Sequence, residues 1–131
     1  HPIHSVTDAM CMEIFEDKQP AHFRYVDEPI TQLLSCVDVL IYCSTTMCLE
    51  ALAHGVPSIS ITPATSIDMD VMRWFPSIRR SADSPQMLRE QVKYILGMSE
   101  EEKTSWVREA KEIVDQVFAP VTDRSIDAFL R

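Results

Sequence analysis

The stretch DVLIYCSTTMCLEALAHGVP, residues 38–57, decides the fold of this chain. Its apolar run at 39–42 is too short for a buried helix and is rich in β-branched and aromatic residues, which predicts a strand buried on both faces. Three hydroxyl residues follow at 44–46, and a helix-forming run then ends at Gly55. After Pro57, the run SISI predicts a second buried strand. The order of strand, turn, helix and strand indicates a βαβ unit.

The hydroxyl turn is a candidate binding site. Ser44 is predicted to cap the helix, and the turn leaves N–H groups at the carboxyl edge of a parallel sheet, where phosphates bind in doubly wound folds. Glu50, more than one helical turn after Thr45, could accept hydrogen bonds from sugar hydroxyls beside a bound phosphate. The residues are equally compatible with hydroxyls that only cap the helix and a glutamate that is only solvated.

The same stretch resembles the C-terminal, nucleotide-sugar-binding half of glycosyltransferases with the GT-B fold. In that family, a strand that begins with Asp leads into a Ser/Thr turn, then Leu-Glu-Ala, then Gly-x-Pro and another strand, as in residues 38–57. The initial pair His1-Pro2 is similar to the group that uses cytidine-linked donors: bacterial sialyltransferases, capsule polymerases and CDP-glycerol transferases. Tyr42 is a departure, because many retaining members carry a second Glu at that position.

The resemblance implies a function for the whole chain, residues 1–131, as a single nucleotide-sugar-binding domain whose N-terminal, acceptor-binding partner half is absent. The implied enzyme is a glycosyltransferase that moves a sugar or glycerophosphate from a nucleotide-activated donor to a glycan or lipid-linked acceptor, and this half alone is expected to be inactive. The donor is a substrate, and neither a cofactor nor a metal is implied. No catalytic residue is assigned to this half; the implied donor-binding residues are His1, Ser44, Thr45, Thr46 and Glu50.

Two other functions stay open. A sugar-nucleotide 2-epimerase of the same fold would share the hydroxyl turn and the Leu-Glu-Ala and Gly-x-Pro motifs. A non-catalytic interaction domain with a degenerate nucleotide site would account for the apolar residues at 69–75 and for the acidic charge.

Two pairs of charged residues stand out near the middle of the chain. Asp68 and Asp70 could hold a metal, but two loop carboxylates are more often solvated. Arg79 and Arg80 could contact a phosphate or a partner, but a solvated position at the edge of the sheet is the favoured interpretation.

The composition argues against several classes of protein. A net charge of −8 without a basic stripe argues against a nucleic-acid-binding protein. No apolar run approaches the ~20 residues of a membrane-spanning helix, and the start HPIHSVTD lacks the features of a signal peptide. The four cysteines form no C-x-x-C pair and are expected to be free thiols in a reducing compartment. A cytoplasmic location is expected, with peripheral membrane association of the full-length protein left open.

The remaining periodicity predicts an α/β protein, a three-layer α/β/α, Rossmann-like domain with a mostly parallel sheet of four or five strands. Beyond the central unit, the pattern and the Pro, Gly and capping signals predict further elements. These are helices over 5–18, 29–37, 85–96, 99–119 and 126–131, a helical turn within 68–75, and strands over 22–26 and 78–80.

Overall fold

A computed structural model describes residues 20–24, 26–62, 67–118, 122 and 126 of the chain. The described residues form an open, three-stranded sheet in which all strands are parallel and lie in the order β1-β2-β3. The strands are β1 (Leu40–Tyr42), β2 (Ser58–Ile61) and β3 (Arg80–Ala82). The α/β class and the parallel sheet are therefore confirmed, whereas the three-layer arrangement stays a prediction.

Four α-helices and one 3₁₀ turn accompany the strands in the described residues. They are α1 (Ile30–Leu33), α2 (Met47–Ala53), the 3₁₀ turn Val71–Trp74, α3 (Pro85–Leu96) and α4 (Glu100–Val117). Ser84 caps α3 by accepting a hydrogen bond from the Met87 N–H, and Ser99 forms the predicted capping box with Glu102 at the start of α4. Among the described residues, no helix combines the length and the apolar character needed to cross a membrane.

The sheet packs through two sets of buried side chains. On one face, Tyr42 of β1 clusters with residues of α2 and α4, including Leu52 and Ile113. Ile59 of β2 belongs to a second cluster, with Ala82 and with Ile95 of α3. β1 and β2 themselves are aligned by their parallel pairing, so the turns that follow their carboxyl ends lie at the same edge of the sheet.

The central βαβ unit forms as predicted, with one correction. β2 is buried on both faces, but β1 is not, because Ile41 is exposed. Ile41 pairs with Ile59 across the sheet, and α3, which covers Ile59, contacts β2 and β3. β1 lies at the edge of the sheet formed by the described residues, beyond this cover.

Three other boundaries differ from the prediction. No strand occurs among the described residues of 22–26, because the chain turns there and the Phe23 N–H donates to the Pro20 carbonyl. The helix predicted over 29–37 ends at Leu33, since the Ser35 and Cys36 side chains hydrogen-bond to carbonyls of that helix. The strand predicted at 78–80 begins only at Arg80, because Ile78 lies in a turn. The helices predicted over 5–18 and 126–131 lie outside the described residues, apart from Ile126.

Candidate functional site

The turn between β1 and α2 has an unusual backbone at Ser44. Its φ is 45°, in the left-handed region, where a side chain with a Cβ costs about 1 kcal/mol relative to glycine. Among the described residues, Ser44 is the only non-glycine with a positive φ. Strained backbone of this kind is concentrated at turns and binding sites, so the turn at Ser44 is a candidate binding site.

Ser44 does not cap α2, so that prediction is wrong. The residue directly before the helix is Thr46, and the side chain that accepts a hydrogen bond from the helix is Thr45, whose Oγ1 lies 3.3 Å from the Met47 nitrogen. The left-handed turn places Ser44 two residues ahead of the cap position. Its side chain is exposed, and its hydroxyl makes no hydrogen bond with the described residues. This hydroxyl is therefore available to a ligand.

A cavity of about 200 Å³ opens beside this turn; we call it the edge cavity. It lies at the carboxyl ends of β1 and β2, the edge at which parallel sheets bind ligands. Its lining combines the residues after β1, the end of β2 and the segment that leads to the 3₁₀ turn. The lining residues are Cys43, Ser44, Ser60, Ile61, Thr62, Ile67, Asp68, Met69 and Asp70.

A larger cavity, of about 340 Å³, lies at the opposite, amino ends of β1 and β2. It is lined mainly by apolar side chains such as Val37, Val56 and Trp106. Its volume exceeds that of the edge cavity, and two surface grooves along α4 are larger still. We assign the site to the edge cavity because it lies at the carboxyl ends of the strands and because polar residues such as Ser44 and Asp68 line it.

The wall of the edge cavity is fixed by Asp70, which is only 3% exposed. Its Oδ1 accepts hydrogen bonds from the Tyr42 hydroxyl at 2.6 Å and from the Met72 N–H at 3.0 Å. Its Oδ2 accepts from Nε of Arg79 at 2.8 Å. A buried carboxylate is tolerated only when it is paired and hydrogen-bonded, and these three donors meet that requirement.

Arg79 also holds Asp68. Its Nη2 donates to Asp68 Oδ2 at 2.8 Å, and the Asp70 N–H donates to Asp68 Oδ1 at 3.1 Å. Arg73 Nη1 donates to the Asp68 carbonyl oxygen at 2.9 Å. The prediction that Arg79 lies on a solvated edge is therefore wrong. The guanidinium carbon of its neighbour Arg80 lies 4.5 Å from the centroid of the Tyr94 ring.

Tyr42 and Asp68, both in this wall, have shifted pKa values. Burial, with the hydrogen bond to Asp70, raises the pKa of Tyr42, so its hydroxyl stays a donor. The Asp70 N–H, and then Arg79, lower the pKa of Asp68 below its ordinary 3.8. Because this folded-state pKa is depressed, the stabilisation by ionised Asp68 is present above pH 3.8 and is lost as the pH falls through the lower value.

The predicted donor-binding residues are only partly brought together. Ser44 lines the edge cavity, whereas Thr45 and Thr46 lie beside it in the turn and do not line it. Glu50 lies half-buried in the first turn of α2, also outside the lining. His1 lies outside the described residues.

Asp68, Asp70 and Thr62 belong to the site, although the sequence did not assign them to it. The sequence shows Asp68 and Asp70 as one charged pair and Arg79 with Arg80 as another. No local pattern indicates that Arg79 contacts the two aspartates. Among the described residues, no group of three or more His, Cys, Asp or Glu side chains is placed to hold a metal ion.

The backbone of Ser44 gives a testable prediction. We expect Ser44→Gly to be more stable than Ser44→Ala by about 1 kcal/mol, because glycine adopts a φ of 45° without strain. The same pair at Ser105, inside α4, should show the reverse order by about 1 kcal/mol. Chemical denaturation measures both pairs. Equal stability of the two Ser44 variants would contradict the left-handed turn.

Comparisons of the chain with protein-family models, with curated proteins and with solved structures found no match.

Proposed function

We propose that the chain is the donor-nucleotide-binding domain of a glycosyl- or glycerophosphate transferase. The observation that carries the proposal is the strained hydroxyl turn at Ser44, which opens onto a cavity at the carboxyl edge of a parallel sheet. The Rossmann-like, three-layer arrangement is part of the proposal.

In this proposal the turn holds the phosphate of the donor. α2 has only seven residues, so the free Ser44 hydroxyl and the N–H groups of the turn are more important than a helix dipole. Thr45 supports the turn by capping Met47, and Thr46 follows it as the residue at the helix start. Glu50 binds ribose hydroxyls, and His1 contacts the phosphate.

The proposed reaction is a direct displacement at the donor carbon, in which the acceptor oxygen forms the new bond and the nucleotide phosphate leaves with the bonding electrons. The turn stabilises the charge on the departing phosphate, and no metal is needed for this role. In this proposal the general base and the acceptor site belong to a second, acceptor-binding half of the enzyme. The isolated chain therefore binds a nucleotide but does not catalyse the transfer reaction.

The test is a titration of the chain with CMP, CDP, UMP, UDP and GDP, followed by NMR and by thermal shift. We expect one of these nucleotides to bind, and Ser44→Ala and Glu50→Ala each to weaken its binding roughly three- to tenfold, the effect of one lost hydrogen bond. Ser105→Ala and Glu112→Ala, on the exposed surface of α4, are matched controls and should bind normally. Thr45→Val is avoided because it would also remove the helix cap.

Two outcomes would contradict the proposal. One is the absence of binding by all five nucleotides to folded protein. The other is binding that the Ser44 and Glu50 variants leave unchanged. Turnover by the isolated chain would contradict the assignment of the general base to the other half.

A non-catalytic interaction domain is the second candidate, and exposed apolar side chains favour it. Ile67, Met69 and Trp74, all in the segment between β2 and β3, are exposed. An interaction domain should bind none of the five nucleotides, and Glu50→Ala should then have no effect in the nucleotide titration. An epimerase of the same fold would bind the same nucleotides, and it would differ in releasing an epimerised sugar nucleotide once the other half is present.

A further inference from the structure

The charges that line the edge cavity restrict the chemistry of what it can hold. Two carboxylates, of Asp68 and Asp70, belong to the lining, and the described lining contains no Lys, Arg or His. The guanidiniums of Arg73 and Arg79 balance these charges, but neither arginine belongs to the lining. The charged side chains that a ligand would meet in the described lining are therefore carboxylates, beside apolar side chains such as Ile67 and Met69.

Not all of the oxygen atoms in this lining are accessible. Asp70 is buried and accepts three hydrogen bonds from the protein, and Ser60 is buried with its hydroxyl near the Arg80 carbonyl. The side chain of Asp68 is 39% exposed, because Arg79 and the Asp70 N–H occupy only part of its carboxylate. The groups left for a ligand are the Asp68 carboxylate and the hydroxyls of Ser44 and Thr62.

The edge cavity is also too small for an entire nucleotide-linked donor. Its volume is about 200 Å³, whereas sites that enclose a whole drug-sized ligand span about 300–1,000 Å³. It can accommodate one part of such a donor. The Asp68 carboxylate only accepts hydrogen bonds, whereas the hydroxyls of Ser44 and Thr62 can donate or accept. The part that suits this lining therefore carries groups that can donate to Asp68.

We propose that the edge cavity is the subsite for the transferred group, and that it selects a neutral group rich in hydroxyls over a group that carries a carboxylate. This inference rests on the proposed function and adds the class of donor. A ligand hydroxyl would donate a charge-assisted hydrogen bond to Asp68, which Arg79 and the Asp70 N–H hold in place. A ligand carboxylate would face the Asp68 carboxylate in a described lining without a cation.

The test compares bare nucleotides with their conjugates by calorimetric titration of the full chain. The pairs are CDP with CDP-glycerol, UDP with UDP-glucose, and CMP with CMP-N-acetylneuraminate, whose sugar bears a carboxylate. The protein is tested as wild type, as Asp68→Asn, and as the control Asp115→Asn, which removes an exposed carboxylate of α4 far along the chain from the cavity.

The expected effects have opposite signs for the two kinds of ligand. Asp68→Asn should weaken binding of the neutral conjugate that fits the base about tenfold, because a charge-assisted hydrogen bond is lost. The affinity for the bare nucleotide should stay the same or increase in this variant. The affinity for the carboxylate-bearing conjugate should increase. Asp115→Asn should change none of these affinities.

Other outcomes would overturn the inference. The inference fails, while the proposed function stands, if Asp68→Asn weakens the binding of a bare nucleotide and of its conjugate equally. The same holds if the wild-type protein binds the carboxylate-bearing conjugate more tightly than the neutral one. If neither nucleotides nor conjugates bind, the proposed function fails and the inference with it. Should Asp68→Asn not fold, Thr62→Val removes a lining hydroxyl with little change of shape, and it should weaken only the neutral conjugate.

Discussion

Asp70→Ala is expected to lower the free energy of unfolding by about 3–5 kcal/mol. The substitution leaves the buried Tyr42 hydroxyl and the Met72 N–H without their acceptor, and it removes one of the two carboxylates that pair with Arg79. Polar groups that are buried without a partner carry the full cost of desolvation. Urea denaturation at neutral pH measures the loss.

A double-mutant cycle separates this network from a general effect of the substitution. We expect Asp70→Ala and Tyr42→Phe to be coupled by about 1–3 kcal/mol, because each substitution removes one partner of the 2.6 Å hydrogen bond. Asp115→Ala, which removes an exposed carboxylate, should change stability by no more than about 0.5 kcal/mol. Additive effects in the cycle would contradict the network.

Ile59→Ala is expected to lower the free energy of unfolding by about 2–5 kcal/mol. Ile59 has no exposed surface, lies on the central strand and packs against Ala82 and Ile95. Truncation removes apolar contacts on a strand whose two neighbours hold it in place, so the resulting space cannot collapse easily.

The matched control is Ile67→Ala. Ile67 is 83% exposed, and its truncation should change stability by no more than about 0.5 kcal/mol. Denaturant unfolding should show the Ile59→Ala loss as a lower midpoint with an unchanged slope. Equal effects of the two substitutions would contradict the position of β2 at the centre of the sheet.

The elements that could be predicted from the sequence are those with strong local signals. The apolar run, the helix-forming run and Gly55, with its φ of 71°, specify the central βαβ unit within a short stretch. Ser84 and the Ser99 capping box specify the starts of α3 and α4 in the same way. Each of these signals acts between residues a few positions apart, so the sequence shows both partners.

The rest of the site depends on contacts between distant residues. Tyr42 and Asp70 are 28 positions apart, and nothing in the loop sequence indicates that Asp70 is buried. The alternation at 22–26 predicts a strand, but a strand also needs a neighbour to pair with, and the chain turns there instead. The left-handed Ser44 escaped prediction because serine ordinarily favours the extended N-cap backbone.

The most direct measurement of the central claim is protection of one thiol by a bound nucleotide. Cys43 directly precedes Ser44 in the turn proposed to hold the phosphate, Cys36 is exposed elsewhere, and Cys48 is buried. Two variants are made in a Cys11→Ser background. In the Cys36→Ser variant, Cys43 is the exposed thiol among the described cysteines. In the Cys43→Ser variant, Cys36 is the exposed thiol and serves as the control. The rate of alkylation by the neutral reagent iodoacetamide is measured with and without the nucleotide that binds. Our account predicts slower alkylation of Cys43 and no change at Cys36; equal rates at Cys43 with and without saturating nucleotide would contradict it.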